Sequence, residues 1–323
     1  MPLLEAIDLV KHFPVKRGVF SRQVGAVRAV DGVAFTIEPG RTLGLVGESG
    51  CGKSTTAKLV LKLEEPTAGT ISFEGRRLQE LDASGLRAYR RSVQAVFQDP
   101  YASLNPRMRV GAIIAEPLVT NEQLSKTEVN RRVLRLLELV GLPERSRDLF
   151  PHEFSGGQRQ RIAIARSLAL EPKLVVLDEP VSALDVSIRA QILNLLRDLQ
   201  ARLGLAYLFI AHDLAAVAHM SHTVAVMYLG KFVEVGDARV VAKQPKHPYT
   251  QALFSAALPS HPAEQREEIV LPGEVPSPLN PPAGCRFHPR CPQVMPRCDH
   301  DEPLLQAVNG RSTACHLYDG ASS

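Results

Sequence analysis

The sequence predicts an α/β protein: a core of buried strands with a β-rich edge, a helical insert, and a proline-rich, cysteine-bearing tail. Three observations carry this expectation. Gly47-Glu48-Ser49-Gly50-Cys51-Gly52-Lys53-Ser54 satisfies G-x-x-x-x-G-K-[ST] and directly follows the apolar run Thr42 to Val46. A second apolar run, Leu174 to Leu177, ends abruptly in two carboxylates, Asp178 and Glu179. Between them, Lys126 to Val140 places Val129, Val133, Leu136, Leu137 and Val140 on one helical face and stops before Gly141-Leu142-Pro143.

Taken in order, Thr42 to Val46 reads as a strand and Lys53 to Leu63 as the helix that follows it. The glycines between them let the backbone fold so that successive N–H groups point inward, and the helix turns its positive end to the same place. Phosphates fit there. Lys53 would meet the β- and γ-phosphates, Ser54 would enter a Mg²⁺ shell, and Thr55 continues the same turn. Leu174 to Leu177 has the length and continuous apolarity of a strand buried on both faces, and ligands bind at the carboxyl ends of such strands. Asp178 is then placed to hold Mg²⁺ and Glu179 to orient and deprotonate an attacking water. A third run, Leu205 to Ala211, ends at His212-Asp213, and Val96-Phe97 ends at Gln98. Alone, either residue is an ordinary polar strand end; together with the carboxylates, His212 would touch a γ-phosphate and Gln98 would sense Mg²⁺ and the water.

Ser155 is an N-cap residue followed by Gly156 and Gly157, with Gln158 to Leu168 reading as a helix, a second helix start suited to an anion. These pieces, in this order, resemble the nucleotide-binding subunit of an ATP-binding cassette (ABC) transporter, a P-loop NTPase. The resemblance implies a phosphate-binding loop at Gly47 to Ser54, the Q-loop at Gln98, a signature at Ser155-Gly156-Gly157-Gln158, the catalytic glutamate at Glu179, the D-loop at Ser182 to Asp185 and the switch histidine at His212. The signature opens on Phe154 where that family most often has Leu. The family's signature faces a γ-phosphate held by a second subunit, so the resemblance implies two ATP molecules and Mg²⁺ sandwiched head to tail between this chain and a paralogue or a second copy, with Asp185 at the contact. It also implies an aromatic on the adenine: Phe13, with Phe20 or a residue near Val27 as alternatives across a basic hairpin at Val15 to Gly25.

The likeness is closer to the dipeptide and oligopeptide importer branch, through Tyr101 to Met108, Pro151 to Phe154, Ser182 to Leu196, Lys246 to Thr250 and Gly284 to Pro292. That branch implies two transmembrane permease subunits as partners, an extracytoplasmic solute-binding protein acting through them, and a place on the cytoplasmic face of the membrane. Dipeptides, longer peptides, glutathione and a chelated metal all remain open as the solute. The rival is a soluble ABC ATPase working on nucleic acid or ribosomes; those usually carry a long coiled-coil insertion or two cassettes, and neither is in this sequence.

Composition agrees. At 323 residues and 45% hydrophobic the chain has ample core material, and no apolar run approaches the length of a membrane span. A net charge of +4 is too mild to argue for nucleic acid. The expected organisation is a nucleotide-binding core over 1–99 and 162–236, a helical subdomain with the signature over 100–161, and a C-terminal extension over 237–323. Between Pro245 and Pro303 lie 13 of the 24 prolines, a density that resists regular structure and predicts an extended tail. Cys285, Cys291, Cys298 and Cys315 fall within this extension, and gaps of 5, 6 and 16 residues lack the close pair of a zinc ribbon. The peptide-importer branch can carry a [4Fe–4S] cluster on a similar tail; zinc and metal-free thiols remain the alternatives.

Overall fold

The computed structural model describes residues 1–17, 22–98, 103–256 and 269–320. Phe20, Asp99 to Ala102 and the start of the expected helical subdomain at residue 100 therefore lie partly or wholly outside the described residues. The chain divides into two compact units, Met1–Ile37 with Thr42–Glu80 and Ile210–Ser323, and Glu38–Arg41 with Leu81–Phe209.

In the first unit the β-rich edge is a long hairpin. Leu4–Arg17 pairs antiparallel with Arg22–Ile37, and Ala68–Phe73 joins its other side with Leu4 opposite Phe73. Alternation places Leu4 and Ala6 inside; a bulge at Asp8, whose φ is 47°, then shifts the register so that Leu9 is buried too. The central strand Thr42–Val46 is buried along its whole length and runs parallel to Thr223–Tyr228, with Leu43 opposite Thr223. Such double-sided burial explains why it reads as an unbroken apolar run. Lys231–Asp237 continues this sheet antiparallel, and Arg311–Thr313 and Gln306–Val308 extend it further.

Those last two strands belong to the tail, which is not extended as its proline content predicts. It folds through the helix Pro248–Ser255, single 3₁₀ turns at His288–Arg290, Pro296–Asp299 and His316–Tyr318, and the two short strands. Proline opens two of those turns and the helix, where a missing N–H costs nothing. Phe287, Cys298 and Cys315 are buried there.

In the second unit Val93–Val96 runs parallel to Leu174–Asp178, with Val93 opposite Leu174, and Ala206–Ile210 lies beyond the latter. The helices are Ala83–Ser92, Val110–Asn121, Lys126–Leu139, Gly156–Ser167 and Val186–Leu203. Lys126–Leu139 forms as its pattern predicts: Ser125 accepts the Glu128 N–H at 3.2 Å, Glu128 bonds Arg132 one turn on at 3.1 Å, and Val133, Leu136 and Leu137 are buried. Among the described residues no helix is long and apolar enough to cross a membrane.

Candidate nucleotide site

The phosphate-binding loop starts where the buried strand Thr42–Val46 ends and runs into the helix Lys53–Val60. Two of its glycines are demanded by space as well as by conformation. Gly47 has φ 151° and a Cβ there would lie 2.1 Å from the Met227 carbonyl oxygen; Gly52, the N-cap, has φ 117° and its Cβ would lie 2.1 Å from the Ala29 carbonyl oxygen. Backbone on both sides therefore fixes the loop. Lys53 is buried and folded back along it, its Nζ donating to the Gly47 carbonyl at 2.7 Å and the Glu48 carbonyl at 3.0 Å and lying 3.7 Å from Cys51 Sγ. Burial pushes the Cys51 thiol above its ordinary range, against the pull of the neighbouring ammonium, so Cys51 stays a small neutral group. Ser54 is exposed, Thr55 half-buried, and Ser49 and Gly50 are exposed at the loop's rim. A cradle of constrained backbone, a helix start and a buried ammonium fits a polyphosphate.

The rest of this unit's predicted set is His212, exposed just after Ala206–Ile210, and Phe13. Phe13 is half-buried on the long hairpin opposite Val27, and the Lys11 ammonium stands 4.9 Å from its ring centroid.

The second unit carries the remaining predicted residues. Asp178 is the last residue of its strand and half-buried. Glu179 follows in a left-handed backbone conformation, φ 51°, that a non-glycine residue adopts only at a cost of about 1–3 kcal/mol, and it is 8% exposed. Its carbonyl accepts from the Ser182 N–H and hydroxyl at 3.3 and 3.1 Å, which fastens the strained turn to the start of the Ser182–Asp185 segment. Glu179 shares such a positive φ with Glu171 in this unit, but it is Glu179 that follows directly on the strand-end carboxylate Asp178 and is buried. Gln98 is exposed beyond Val93–Val96.

The Ser155 helix start forms as a full capping box. The Ser155 hydroxyl accepts from the Gln158 N–H at 3.4 Å and Gln158 Oε1 accepts from the Ser155 N–H at 3.0 Å. Phe154 is buried, as an apolar residue in Leu's place should be, and its backbone carbonyl takes two bonds from the Arg159 guanidinium. Gly157 is required by proximity, since a Cβ there would lie 2.4 Å from Ile188 Cγ2 on the helix Val186–Leu203. Asp185 is the exposed N-cap of that helix, and Val186 beside it is 79% exposed. Ser155, Asp185 and Val186 are thus each exposed.

The order of these motifs, and the geometry in which each is built, recur in known proteins. The family model described as ABC transporter matches residues 30–182, and one described as oligopeptide/dipeptide transporter, C-terminal region, matches residues 233–298. The dipeptide transport ATP-binding protein DppF of Escherichia coli is 51% identical over 98% of this chain and 95% of its own length. The chain belongs to the ABC transporter family, in its dipeptide and oligopeptide branch. The oligopeptide transport ATP-binding protein AppF of Bacillus subtilis is 50% identical, covering 98% of this chain and 97% of its own. Among solved structures, cbiO1 of Clostridium perfringens, part of the ABC transporter complex cbiONQ, superposes with a TM-score of 0.66 at 28% identity, over 75% of this chain and 91% of that one. The cassette MJ0796, solved as a post-hydrolysis dimer with ADP and Pi, gives 0.64 at 28% identity over 73% and 99%. As an ABC cassette, this chain is an ATPase that uses ATP with Mg²⁺, and such cassettes work as dimers with membrane permeases.

Sequence reasoning missed one set of residues at this site. Glu48, inside the loop, has its carboxylate held by the two terminal guanidinium nitrogens of Arg290 at 2.7 and 3.1 Å, and its N–H donates to the Tyr249 hydroxyl at 2.8 Å. Behind it, Arg286 bonds the Asp31 carboxylate and the Leu229 carbonyl. Burial pushes Asp31 up, but the bonds from Arg286 and from His12, 2.8 Å away, outweigh it and hold the carboxyl below its ordinary value. The runs containing Tyr249 and Arg290 were legible as family likeness, but nothing in them announces a partner some 200 residues earlier.

Proposed function

We propose that this chain is the ATP-hydrolysing subunit of an importer for dipeptides or oligopeptides, seated on the cytoplasmic face of the membrane against two permease subunits. It pairs head to tail with a paralogous cassette or a second copy and receives its cue from an extracytoplasmic binding protein. The observation that carries this reading is the near full-length likeness to peptide-transport ATP-binding proteins, including the C-terminal region, on a chain whose phosphate loop is sterically fixed. The same likeness disfavours the soluble ATPase working on nucleic acid or ribosomes.

In this reading the loop Gly47, Glu48, Ser49, Gly50, Cys51, Gly52 with Lys53, Ser54 and Thr55 binds the phosphates, and Phe13 stacks on the adenine. Lys53 exchanges its two loop carbonyls for the phosphate oxygens, which replace the bonds it gives up. Ser54, Gln98 and Asp178 would hold Mg²⁺, which would supply charge neutralisation on the phosphoryl oxygens. Glu179, locked by its strained turn, takes the proton of the attacking water; His212 and Gln98 contact the phosphoryl group and the water. Ser155, Gly156, Gly157 and Gln158 present their helix start to the partner's nucleotide, with Asp185 at the dimer contact.

We also propose the four tail cysteines as ligands of a [4Fe–4S] cluster. Among the described residues no group of three or more His, Cys, Asp and Glu side chains is arranged to hold a metal ion, so the support for the cluster is the family likeness and the proximity of the thiols rather than a preformed ligand set. The cysteines are nonetheless neighbours. Burial first, and then the electrostatic presence of the other thiols, pushes Cys285 up to about 11 and Cys315 up to about 12, with Cys291 raised in the same way, and the Cys285 N–H donates to the Cys298 carbonyl at 2.8 Å. Mutually disfavoured thiolates in one place are relieved by a shared multivalent cation centre.

The experiment that tests the transport assignment is uptake of labelled dipeptides and tetrapeptides by cells lacking the chromosomal copy. Uptake restored by the wild-type chain but not by Lys53→Ala is expected. Equal restoration by both would remove the chain from peptide import.

A further inference from the structure

We propose that Arg290 and Tyr249 of the C-terminal extension are positioning residues for the phosphate-binding loop, acting through Glu48 to set ATP affinity. The inference rests on the reading of Gly47 to Ser54 as the phosphate site and names a control over that site.

Glu48 is an awkward residue for its place, a carboxylate inside a loop that receives a triphosphate of several negative charges. Its charge is neutralised by a paired guanidinium contact from Arg290, two nitrogens to two oxygens, whose side chain is 8% exposed while that of Glu48 is 27% exposed. Arg290 also faces the Tyr228 hydroxyl. The Glu48 N–H, which would otherwise compete with the loop's other donors for direction, is fixed on the Tyr249 hydroxyl. Tyr249 cannot drift. It is fully buried and packs against Tyr228 at 4.7 Å and Phe287 at 5.4 Å between ring centroids, with Tyr228 and Phe287 edge to face at 5.3 Å. Both grips on Glu48 thus issue from the tail, Tyr249 from its helix and Arg290 from the 3₁₀ turn that Phe287 anchors.

Without Arg290 the Glu48 carboxylate is unpaired and free to turn toward the incoming phosphates, which it repels. The loss falls on binding, because the residues of hydrolysis are untouched. Binding of a fluorescent ATP analogue and steady-state phosphate release, both on the full chain, test this. Arg290→Ala is expected to weaken ATP binding about tenfold and raise KM in proportion, with kcat within about twofold of wild type. Arg290→Lys, which keeps the charge without the paired geometry, should fall between. The decisive variant is Arg290→Ala with Glu48→Gln: removing the stranded charge should restore most of the lost affinity, which no purely structural role of Arg290 would allow. Tyr249→Phe, which keeps the packing and removes only the acceptor, should weaken binding about threefold and serves if Arg290→Ala fails to fold. Wild-type affinity in Arg290→Ala and Tyr249→Phe, or no recovery in the double variant, would overturn the proposal. Lys53→Ala is the control: if it too binds ATP normally, the assignment of the loop fails rather than the role of Arg290.

Discussion

Gly52→Ala and Gly50→Ala separate the two reasons a phosphate loop contains glycine. Both positions have positive φ, 117° and 79°, but a Cβ at Gly50 meets nothing within 4 Å, whereas at Gly52 it would lie 2.1 Å from the Ala29 carbonyl oxygen and 2.6 Å from the Met227 side chain. Left-handed backbone costs a residue with a side chain about 1–2 kcal/mol, and that is the whole cost at Gly50. At Gly52 forced overpacking against a backbone oxygen adds about 1–3 kcal/mol, for a total of about 2–5. With about 2–4 °C of midpoint per kcal/mol for a domain of this size, Gly50→Ala should lower the thermal midpoint by a few degrees and Gly52→Ala by on the order of 10 °C. Differential scanning calorimetry of the three proteins reads this directly, and ATP binding by Gly52→Ala should fall because the loop must open to admit the methyl group. Equal midpoints for the two variants, or an unshifted Gly52→Ala, would refute the claim that neighbouring backbone fixes the loop.

Three further outcomes follow from the same structure. Glu179→Gln should stop steady-state phosphate release while ATP still binds, and Lys53→Ala should lose binding itself; near-normal release from Glu179→Gln would remove Glu179 as the base. His247 is buried, accepts the Tyr249 N–H at Nδ1 at 3.1 Å, and burial holds it neutral with its pKa lowered to about 3. A depressed value means the unfolded chain takes up the proton first, so its contribution is complete above about pH 6.5 and is lost as pH falls: about 2 kcal/mol by pH 5. Urea midpoints at pH 7.5 and 5 should therefore drop more in wild type than in His247→Asn, and parallel drops would show that His247 is not the group responsible. Anaerobically purified protein should be brown, with about four iron and four sulfide per chain, and Cys291→Ser should lose the colour while still binding ATP; one zinc, or no metal with the tail still folded, would exclude the cluster.

What was legible in the sequence was local. Thr42–Val46, Leu174–Asp178 and Ala206–Ile210 are buried on both faces, so burial wrote itself as uninterrupted apolar runs, and Ser155 announced a helix start because its cap is made three residues away. The helix Val110–Asn121 was blurred by Pro117 within it, although Val110, Ile113, Ile114 and Leu118 do keep one buried face. The tail was misread as extended because its order comes from non-local pairing. Arg290 reaches Glu48 242 positions away, Arg286 reaches Asp31, Arg311 bonds the Gln244 carbonyl, and Glu234, wholly buried, accepts from the N–H groups of Lys246 and His247. Proline density describes what a segment cannot do alone and is silent about what a neighbouring sheet can supply. Of the candidate site, residue types and their motifs could be read; the strained φ at Glu179 and the steric walls around Gly47 and Gly52 could not, since each depends on backbone from elsewhere in the fold.

Coupled turnover in proteoliposomes containing the permease pair, with this chain and its cassette partner added, tests the central claim most directly. Phosphate release and peptide uptake should rise together when peptide-loaded binding protein is supplied, and both should vanish with Glu179→Gln in this chain and its partner. Peptide uptake that persists in that variant, or hydrolysis indifferent to peptide and binding protein, would contradict the assignment.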